Sequence, residues 1–363
     1  MSTRIYTLPV DQTQWIVPAV GTMTVFNWEY DEGRDKLLNL YEKGKQKQWN
    51  ASDRLDWSLE VDPSNPLGYP SDYVKIYISA KLWNKLNEKD QGCVRHHLDS
   101  WRFSQFLHGE QGALICSAKI VQTVPEMDSK FYAATQVMDE ARHVEVYSRY
   151  LREKLQLAYP INPHLKTLLE QAIGDSRWDM TYLAMQVIIE GLALALFSSV
   201  RDLATEPLGK ALNAYVMQDE ARHVAFGRLA LRDYYPKLTD KERREREEFA
   251  VEACYLMRDR FLAEEVWDNL GFGDEECVKY VRRSPFMQQY QNKLFSRVVP
   301  TLKDVGLWGS YIQEAFVDMG VIELANVNVE ELSKEDEDVA AEFDKLRAAR
   351  AAYINRVIAD EPT

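Results

Sequence analysis

The chain has 363 residues, 46% hydrophobic and 28% charged, enough to bury a large core as one big domain or two smaller ones. A net charge of −13 with no basic stripe argues against a nucleic-acid binder. Cys93, Cys116, Cys254 and Cys277 include no close pair, so neither a thiolate zinc site nor a disulfide framework is indicated.

The opening MSTRIYTLPVDQTQW lacks the charged start and apolar block of a secretion signal, and a soluble cytoplasmic protein is the expectation. Residues 1–30 read as irregular, and a helix is expected from about Arg34 to Gln48. WNASDRLDWSLEVDPSNPLGYP then reads as turns and short pieces. From Ser71 onward, long periodic segments break at Pro125, Pro160–Pro163, Pro207 and Pro236, and nothing reads as paired strands. The stretch YLAMQVIIEGLALALFSSV, residues 182–200, is long enough to cross a bilayer. It is the only such run, however, and would carry Gln186 and Glu190 near its middle, so a buried helix of a helical protein is the better reading. Thr239 opens an amphipathic helix, and the charged tail from Val329 reads as one exposed helix. The expected class is all-α: an N-terminal segment 1–70 with one helix, a four-helix-bundle core within 71–270, and a helical extension 271–363.

The chain repeats itself. DEARHV stands at Asp139–Val144 and again at Asp219–Val224, 80 residues on. Glu190 precedes Glu220 by 30 residues, and Glu110 precedes Glu140 by the same 30. On a helix, positions i and i+3 share a face, so Glu140 points with His143 and Glu220 with His223. Two antiparallel helices bring residues equidistant from their turn to one height. The midpoint of the first pair is Pro125, and that of the second is residue 205, with Pro207 two positions on. Each hairpin therefore presents Glu, Glu and His at one level, and two hairpins packed together surround one point with four glutamates and two histidines. That is the ligand set of a dinuclear iron or manganese carboxylate bundle. A single Glu-x-x-His is ordinarily a solvated surface pair; the doubled set with turns at both midpoints reverses that reading. It also accounts for Glu190, a carboxylate in apolar surroundings that needs a cation or a proton. His96, His97, His108 and His164 carry no comparable pattern.

A metal-bound imidazole needs its other ring nitrogen held, usually by a carboxylate. By the internal symmetry Asp219 is expected to reach His143 and Asp139 to reach His223. Arg142 and Arg222 either neutralise these aspartates, brace neighbouring helices or form surface ion pairs.

The doubled Glu…Asp-Glu-x-Arg-His pattern resembles the ferritin-like superfamily of diiron-carboxylate proteins. That superfamily includes ribonucleotide reductase small subunits, multicomponent monooxygenases, acyl-carrier-protein desaturases, arylamine N-oxygenases and ferroxidases. The resemblance implies a ferritin-like bundle with additional helices over about residues 90–270, two iron ions (Mn/Fe being the alternative), and a homodimer. The segment LYEKGKQKQWNASDRLDWS is similar to one in reductase small subunits and related ligand-binding oxidases, which implies that Trp49 hydrogen-bonds Asp219. Tyr147, one turn after His143, matches the position of the reductase's radical-forming tyrosine, although core packing fits it as well. Leu194 and Ser198 stand where the reductase pattern has sealing phenylalanines, and with the slim, apolar stretch 183–198 they suggest room for a substrate. Val216 joins Tyr147, Leu194 and Ser198 as a redox or pocket candidate.

The first functional expectation is an O2-activating diiron oxygenase acting on a hydrophobic or aromatic small molecule, with hydroxylation, N-oxygenation and desaturation all open. Its electrons would come from a separate reductase or ferredoxin, since no flavin or iron–sulfur motif is present. The alternative is a radical-generating or ligand-binding oxidase built around Tyr147. A ferroxidase is the third reading, and the long C-terminal part argues against it.

Overall fold

The computed structural model describes residues 24–25, 34–272 and 274–332, and singly 334, 335, 338 and 345. Most of the N-terminal segment before Arg34, and nearly all of the tail helix expected beyond Val329, lie outside the described residues.

A first helix, α1 (Asp35–Gln46), precedes the turns around Trp57 and Pro66. Asn87 then starts α2 (Glu88–Thr123), its side-chain oxygen accepting from the Asp90 amide at 2.9 Å. α2 ends at Thr123, two residues before Pro125, which disfavours helical geometry at Val124, and α3 (Met127–Tyr150) returns along it. A short helix, α4 (Pro163–Gly174), leads into α5 (Trp178–Leu203). The turn at Ala204–Glu206 opens α6 (Pro207–Tyr234). Glu206 caps α6, accepting from the Leu208 and Gly209 amides at 2.9 and 2.6 Å, while Pro207 sits where a missing N–H does no harm. The Tyr150 hydroxyl donates to the same carboxylate at 3.3 Å and so ties the first hairpin to the second. α7 (Asp240–Asp259) begins with a reciprocal cap between Thr239 and Glu242. Further on, α8 (Pro285–Phe295) and α9 (Val298–Asp304) pack over α5.

The molecule is therefore all-α, with a ferritin-like bundle of α2, α3, α5 and α6. No strand occurs among the described residues. One hydrophobic cluster runs without interruption from Leu37 of α1 through the bundle to Val321. α5 is the helix long and apolar enough to span a membrane, and it is a core helix, with 94% of its apolar window buried inside the protein.

Two close approaches shape α5. Its segment Leu183–Ile189 is wound as a π-helix, immediately before Glu190. Facing it on α6 is Gly227, where a Cβ would stand 2.4 Å from the Gln186 Cβ, so only glycine lets the widened turn lie against α6. On another side Gly191 admits α9: a Cβ there would meet Val298 Cγ2 at 3.2 Å.

Candidate metal centre

α2 supplies Glu110, α3 supplies Glu140 and His143, α5 supplies Glu190, and α6 supplies Glu220 and His223. All six side chains are buried and converge on one volume in the middle of the bundle. Two groups of ligand atoms form there: Glu110, Glu140, His143 and Glu220 in one, Glu140, Glu190 and His223 in the other.

The atoms are arranged for cations rather than for hydrogen bonds. His143 Nδ1 has three carboxylate oxygens around it, from Glu110 and Glu140 at 3.2 Å and from Glu220 at 3.0 Å. A ring nitrogen has one proton or one lone pair and cannot satisfy three partners. His223 Nδ1 lies 3.1 Å from Glu140 Oε1, yet makes no hydrogen bond. Glu190 Oε2 and both carboxylate oxygens of Glu220 are likewise buried without a hydrogen-bond donor. Orphaned atoms of this kind are rare in a folded interior and mark a missing partner. Four glutamates balance the charge of two divalent cations, and a mixed oxygen and imidazole set suits iron or manganese, so the residues fit a dimetal pair.

Electrostatics say the same. Burial, with Glu220's charge added, pushes the carboxyls of Glu110 and Glu190 well above the usual carboxylate range. Burial disfavours charge on both imidazoles, but Glu110 beside His143 and Glu140 beside His223 outweigh it and hold both rings well above the ordinary histidine range. Without metal, the centre binds protons instead.

The back of each imidazole is held across the bundle. His143 Nε2 lies 3.1 Å from Asp219 Oδ2, and His223 Nε2 lies 3.2 Å from Asp139 Oδ2. Each histidine thus depends on the aspartate of the other hairpin. Arg142 donates to both Asp139 and Asp219, at 2.5 and 2.9 Å, and Arg222 donates to Asp219 at 2.5 Å. Both arginines are buried, so these are interior ion pairs, and two aspartates against two arginines leave the layer neutral. Trp49 Nε1 donates to Asp219 Oδ2 at 2.9 Å from the end of α1.

Two glutamines have no counterpart in the sequence reading. Gln48 donates to Asp139 at 2.7 Å and accepts from Arg142 at 2.7 Å. Gln136 donates to Glu140 and Glu190 at 3.0 and 2.8 Å. The signal for Gln136 was available, since it stands one turn before Glu140 on the same face.

The sequence profile of the family described as p-aminobenzoate N-oxygenase AurF matches residues 31–306, about three quarters of the chain. The chain belongs to the AurF family. AurF-family membership makes it an oxygenase of the diiron-carboxylate class, with O2 as co-substrate. Among solved structures it is similar to a tyrosine-to-phenylalanine variant of an R2-like ligand-binding oxidase with an anaerobically reconstituted Mn/Fe cofactor. The identity is 18%, over 77% of this chain and 96% of that one, with a TM-score of 0.50. A valine-to-isoleucine variant of an R2-like ligand-binding oxidase, also with anaerobically reconstituted Mn/Fe, gives the same four values. At this identity the likeness shows the fold alone. No curated protein matches.

In this AurF-family chain a narrow cavity of about 30 Å³ opens beside the glutamates, between α2 and α5. Glu110, Glu190 and Glu220 are in its lining, and Gly109, Ala113 and Ala193 leave the space between the helices. A Cβ added at Gly109 would meet nothing within 4 Å. Ala193 and Phe197 of α5 are in the wall, whereas Leu194 and Ser198, the positions expected to line it, are not. At about 100° per residue, Leu194 and Ser198 fall on one flank of Glu190 and the cavity on the other. Val216 is buried and is not in the wall either. The Tyr147 ring packs against Phe106 and Phe197, both cavity residues, from outside, and its hydroxyl donates to Asn213 at 3.1 Å rather than to any of the six glutamates and histidines. His108 turns away from the centre, its Nε2 donating to the Tyr159 carbonyl oxygen at 2.9 Å.

Proposed function

We propose that the protein is an N-oxygenase of primary aromatic amines. Its centre would be held by Glu110, His143 and Glu220 on one side, Glu190 and His223 on the other, and Glu140 between. When bound, the metal pair reduces O2 and supplies the oxidising equivalents. The observation that carries the reading is a buried carboxylate and histidine cluster, three of whose glutamates line a cavity together with Gly109, Ala113, Ala193 and Phe197. The substrate class follows the family description, and an aromatic ring suits walls of that kind.

The chain's own residues do three things in this account. Asp219 and Asp139 accept the Nε2 protons of His143 and His223, which fixes the tautomer and turns Nδ1 toward the centre. Phe106, Phe197 and Ile189 keep bulk water from the reacting nitrogen. Gly109 and Ala193 keep the wall between α2 and α5 free of bulky side chains, on the side from which an aromatic ring would approach. The first oxidation puts one oxygen atom of O2 on the amine to give a hydroxylamine and sends the other to water. It consumes two electrons and two protons. A separate reductase or ferredoxin provides the electrons, and the protein works as a cytoplasmic homodimer.

Anaerobically iron-loaded protein mixed with 4-aminobenzoate, an electron donor and ¹⁸O2 tests the reading by mass spectrometry. A product retaining the ring and carrying labelled oxygen on nitrogen is expected. Ring hydroxylation, or O2 consumption with the amine unchanged, would overturn it.

A further inference from the structure

A metal pair accounts for the orphaned atoms of Glu190, Glu220 and His223, but not for a second set beside them. Gln136 Oε1, both amide atoms of Gln186, and the hydroxyls of Tyr132 and Tyr182 are also buried without a hydrogen-bond partner. All four residues are at most 1% exposed. They stand in register with the glutamates of the centre. Tyr132, Gln136 and Glu140 follow one another at four-residue steps on α3, and Tyr182, Gln186 and Glu190 do the same on α5. Four residues is close to one turn, so each trio runs along one flank of its helix.

The two flanks meet on α6. The rings of Tyr132 and Tyr182 pack on Phe226, with centroids 4.4 and 5.1 Å away, and Gln186 lies against Gly227, where no side chain intervenes. Inward, Gln136 donates to Glu140 and Glu190, and the Tyr132 ring centroid is 6.5 Å from that of His223. Outward, burial and the charge of Glu126 hold the Tyr182 hydroxyl well above the ordinary tyrosine range. Ser129 pulls the other way, standing near that hydroxyl but too loosely placed to bond it. Ser129 Oγ accepts from Arg34 at 3.1 Å, and Arg34, partly exposed, also pairs with Asp128 at 3.3 Å. The orphaned groups thus extend from the edge of the centre toward a solvent-reached ion pair at the start of α3. None of the four residues lines the cavity.

Buried polar groups that lack protein partners are ordinarily satisfied by ordered water. A tyrosine hydroxyl both donates and accepts, and an amide does so through its two atoms. Water between such groups forms a chain along which a proton passes while no side chain changes charge. We propose that Tyr132, Gln136, Tyr182 and Gln186 hold a file of water that delivers protons to the metal centre from the Arg34–Asp128 end of the bundle. Reduction of O2 requires such a supply. With an amine as substrate, two electrons from the donor and two protons from solvent enter per turnover. One oxygen atom goes to the nitrogen and the other leaves as water. Electrons arriving without protons would leave uncompensated charge in a buried site. The file also keeps the proton route apart from the cavity. The assignment rests on the N-oxygenase reading for this stoichiometry, whereas the place of the water does not depend on it.

High-resolution crystallography of the Mn(II)-loaded full chain tests the file itself. Ordered water bonded to the Gln186 amide and to the Tyr182 hydroxyl is expected, and a dry interior there would overturn the proposal. Its role is read by mixing anaerobically reduced, iron-loaded protein with O2 and 4-aminobenzoate in H2O and in D2O. Absorbance follows the return of the oxidised iron. Gln186→Leu, similar in size but unable to bond water, should slow that return at least about tenfold and enlarge the solvent isotope effect. Gln186→Asn recovers part of the loss, and Tyr182→Phe, which removes one oxygen atom, shows the same two changes. On a single route the double variant Gln186→Leu/Tyr182→Phe is no slower than the slower single one, whereas independent structural defects multiply. Unchanged rate and isotope effect in both single variants, or losses that multiply, would overturn the proposal. If Gln186→Leu does not fold, Tyr182→Phe decides by the same isotope effect. Water in place and slowed oxidation without an oxygenated amine leave the route assigned and remove the N-oxygenase reading. Amine oxidation through a dry interior does the reverse.

Discussion

Glu140 reaches the histidine of the opposite hairpin: its Oε1 lies 3.1 Å from His223 Nδ1, while its Oε2 lies 3.2 Å from His143 on its own helix. Among the described residues no other side chain belongs to both groups of ligand atoms. Removing it should therefore differ in kind from removing a residue that serves one group. Glu140→Ala is expected to lose both metals, and Glu190→Ala to retain one. Iron content per chain after anaerobic loading and desalting reads the difference directly, and two irons in Glu190→Ala would refute the assignment.

Asp219 holds His143 from behind and also takes hydrogen bonds from Trp49, Arg142 and Arg222. Asp219→Ala leaves the imidazole free to rotate and leaves two buried arginines short of a partner. Metal affinity at the Glu110–His143 side should fall by about tenfold to a hundredfold. Competition against a chelator of known affinity measures this, with Asp139→Ala expected to act on the His223 side.

The centre's response to pH follows from its electrostatics. In the metal-free fold His143, His223, Glu110 and Glu190 all hold protons more tightly than in an unfolded chain. Each such group favours folding below its unfolded pKa, and loses that contribution as pH rises through its higher folded value. Glu140 and Asp219 are shifted the other way, His223 drawing down the first and Arg222 the second against the effect of burial, and they favour folding at higher pH. Metal must displace the protons held by the first four groups, so binding strengthens as pH rises. The gain in Tm on anaerobic loading with Mn(II) or Fe(II) is expected to be larger at pH 8 than at pH 6. Scanning calorimetry with and without metal checks the sign, and a gain that shrinks with pH would contradict it.

Gly109 faces the cavity with nothing near its absent Cβ, so added atoms there fill space without forcing the helices apart. Gly109→Val should change stability by no more than about 1 kcal/mol, because valine's lower helix propensity than alanine's is small beside what glycine already loses. It should also raise KM for a bulky aromatic amine by about tenfold, with metal content unchanged. A variant that turned over large and small amines at unaltered KM would show that the ring binds elsewhere.

Much of this arrangement is legible in the sequence because helix geometry is rigid. Residues three apart share a face, and a proline near a midpoint announces a turn; from those two facts the level of Glu110, Glu140, Glu190 and Glu220 can be counted. The cavity was harder to place. Counting whole turns from Glu190 leads to Leu194 and Ser198, yet the open flank is the one bearing Ala193 and Phe197, and which flank faces α2 is decided by packing. The π-wound segment Leu183–Ile189 leaves no trace in a stretch that is apolar on every side, where the pattern has no phase to read. Arg260, another residue of the cavity lining, is invisible for another reason. It lies beyond the repeats, and a turn through alanine at positive φ carries none of the glycine or asparagine that normally signals one.

The crossed pairing of His143 with Asp219 and His223 with Asp139 bears on how such a duplicated chain can change over generations. After an ordinary duplication one copy is free to drift while the other keeps the work. Here neither copy of DEARHV supports its own histidine, so a lost aspartate in one half is felt in the other. Divergence is left to what lies outside the repeats, such as the neighbours Gly109 and Ala193. Descendants of such a chain inherit the two motifs as a single unit and vary the walls.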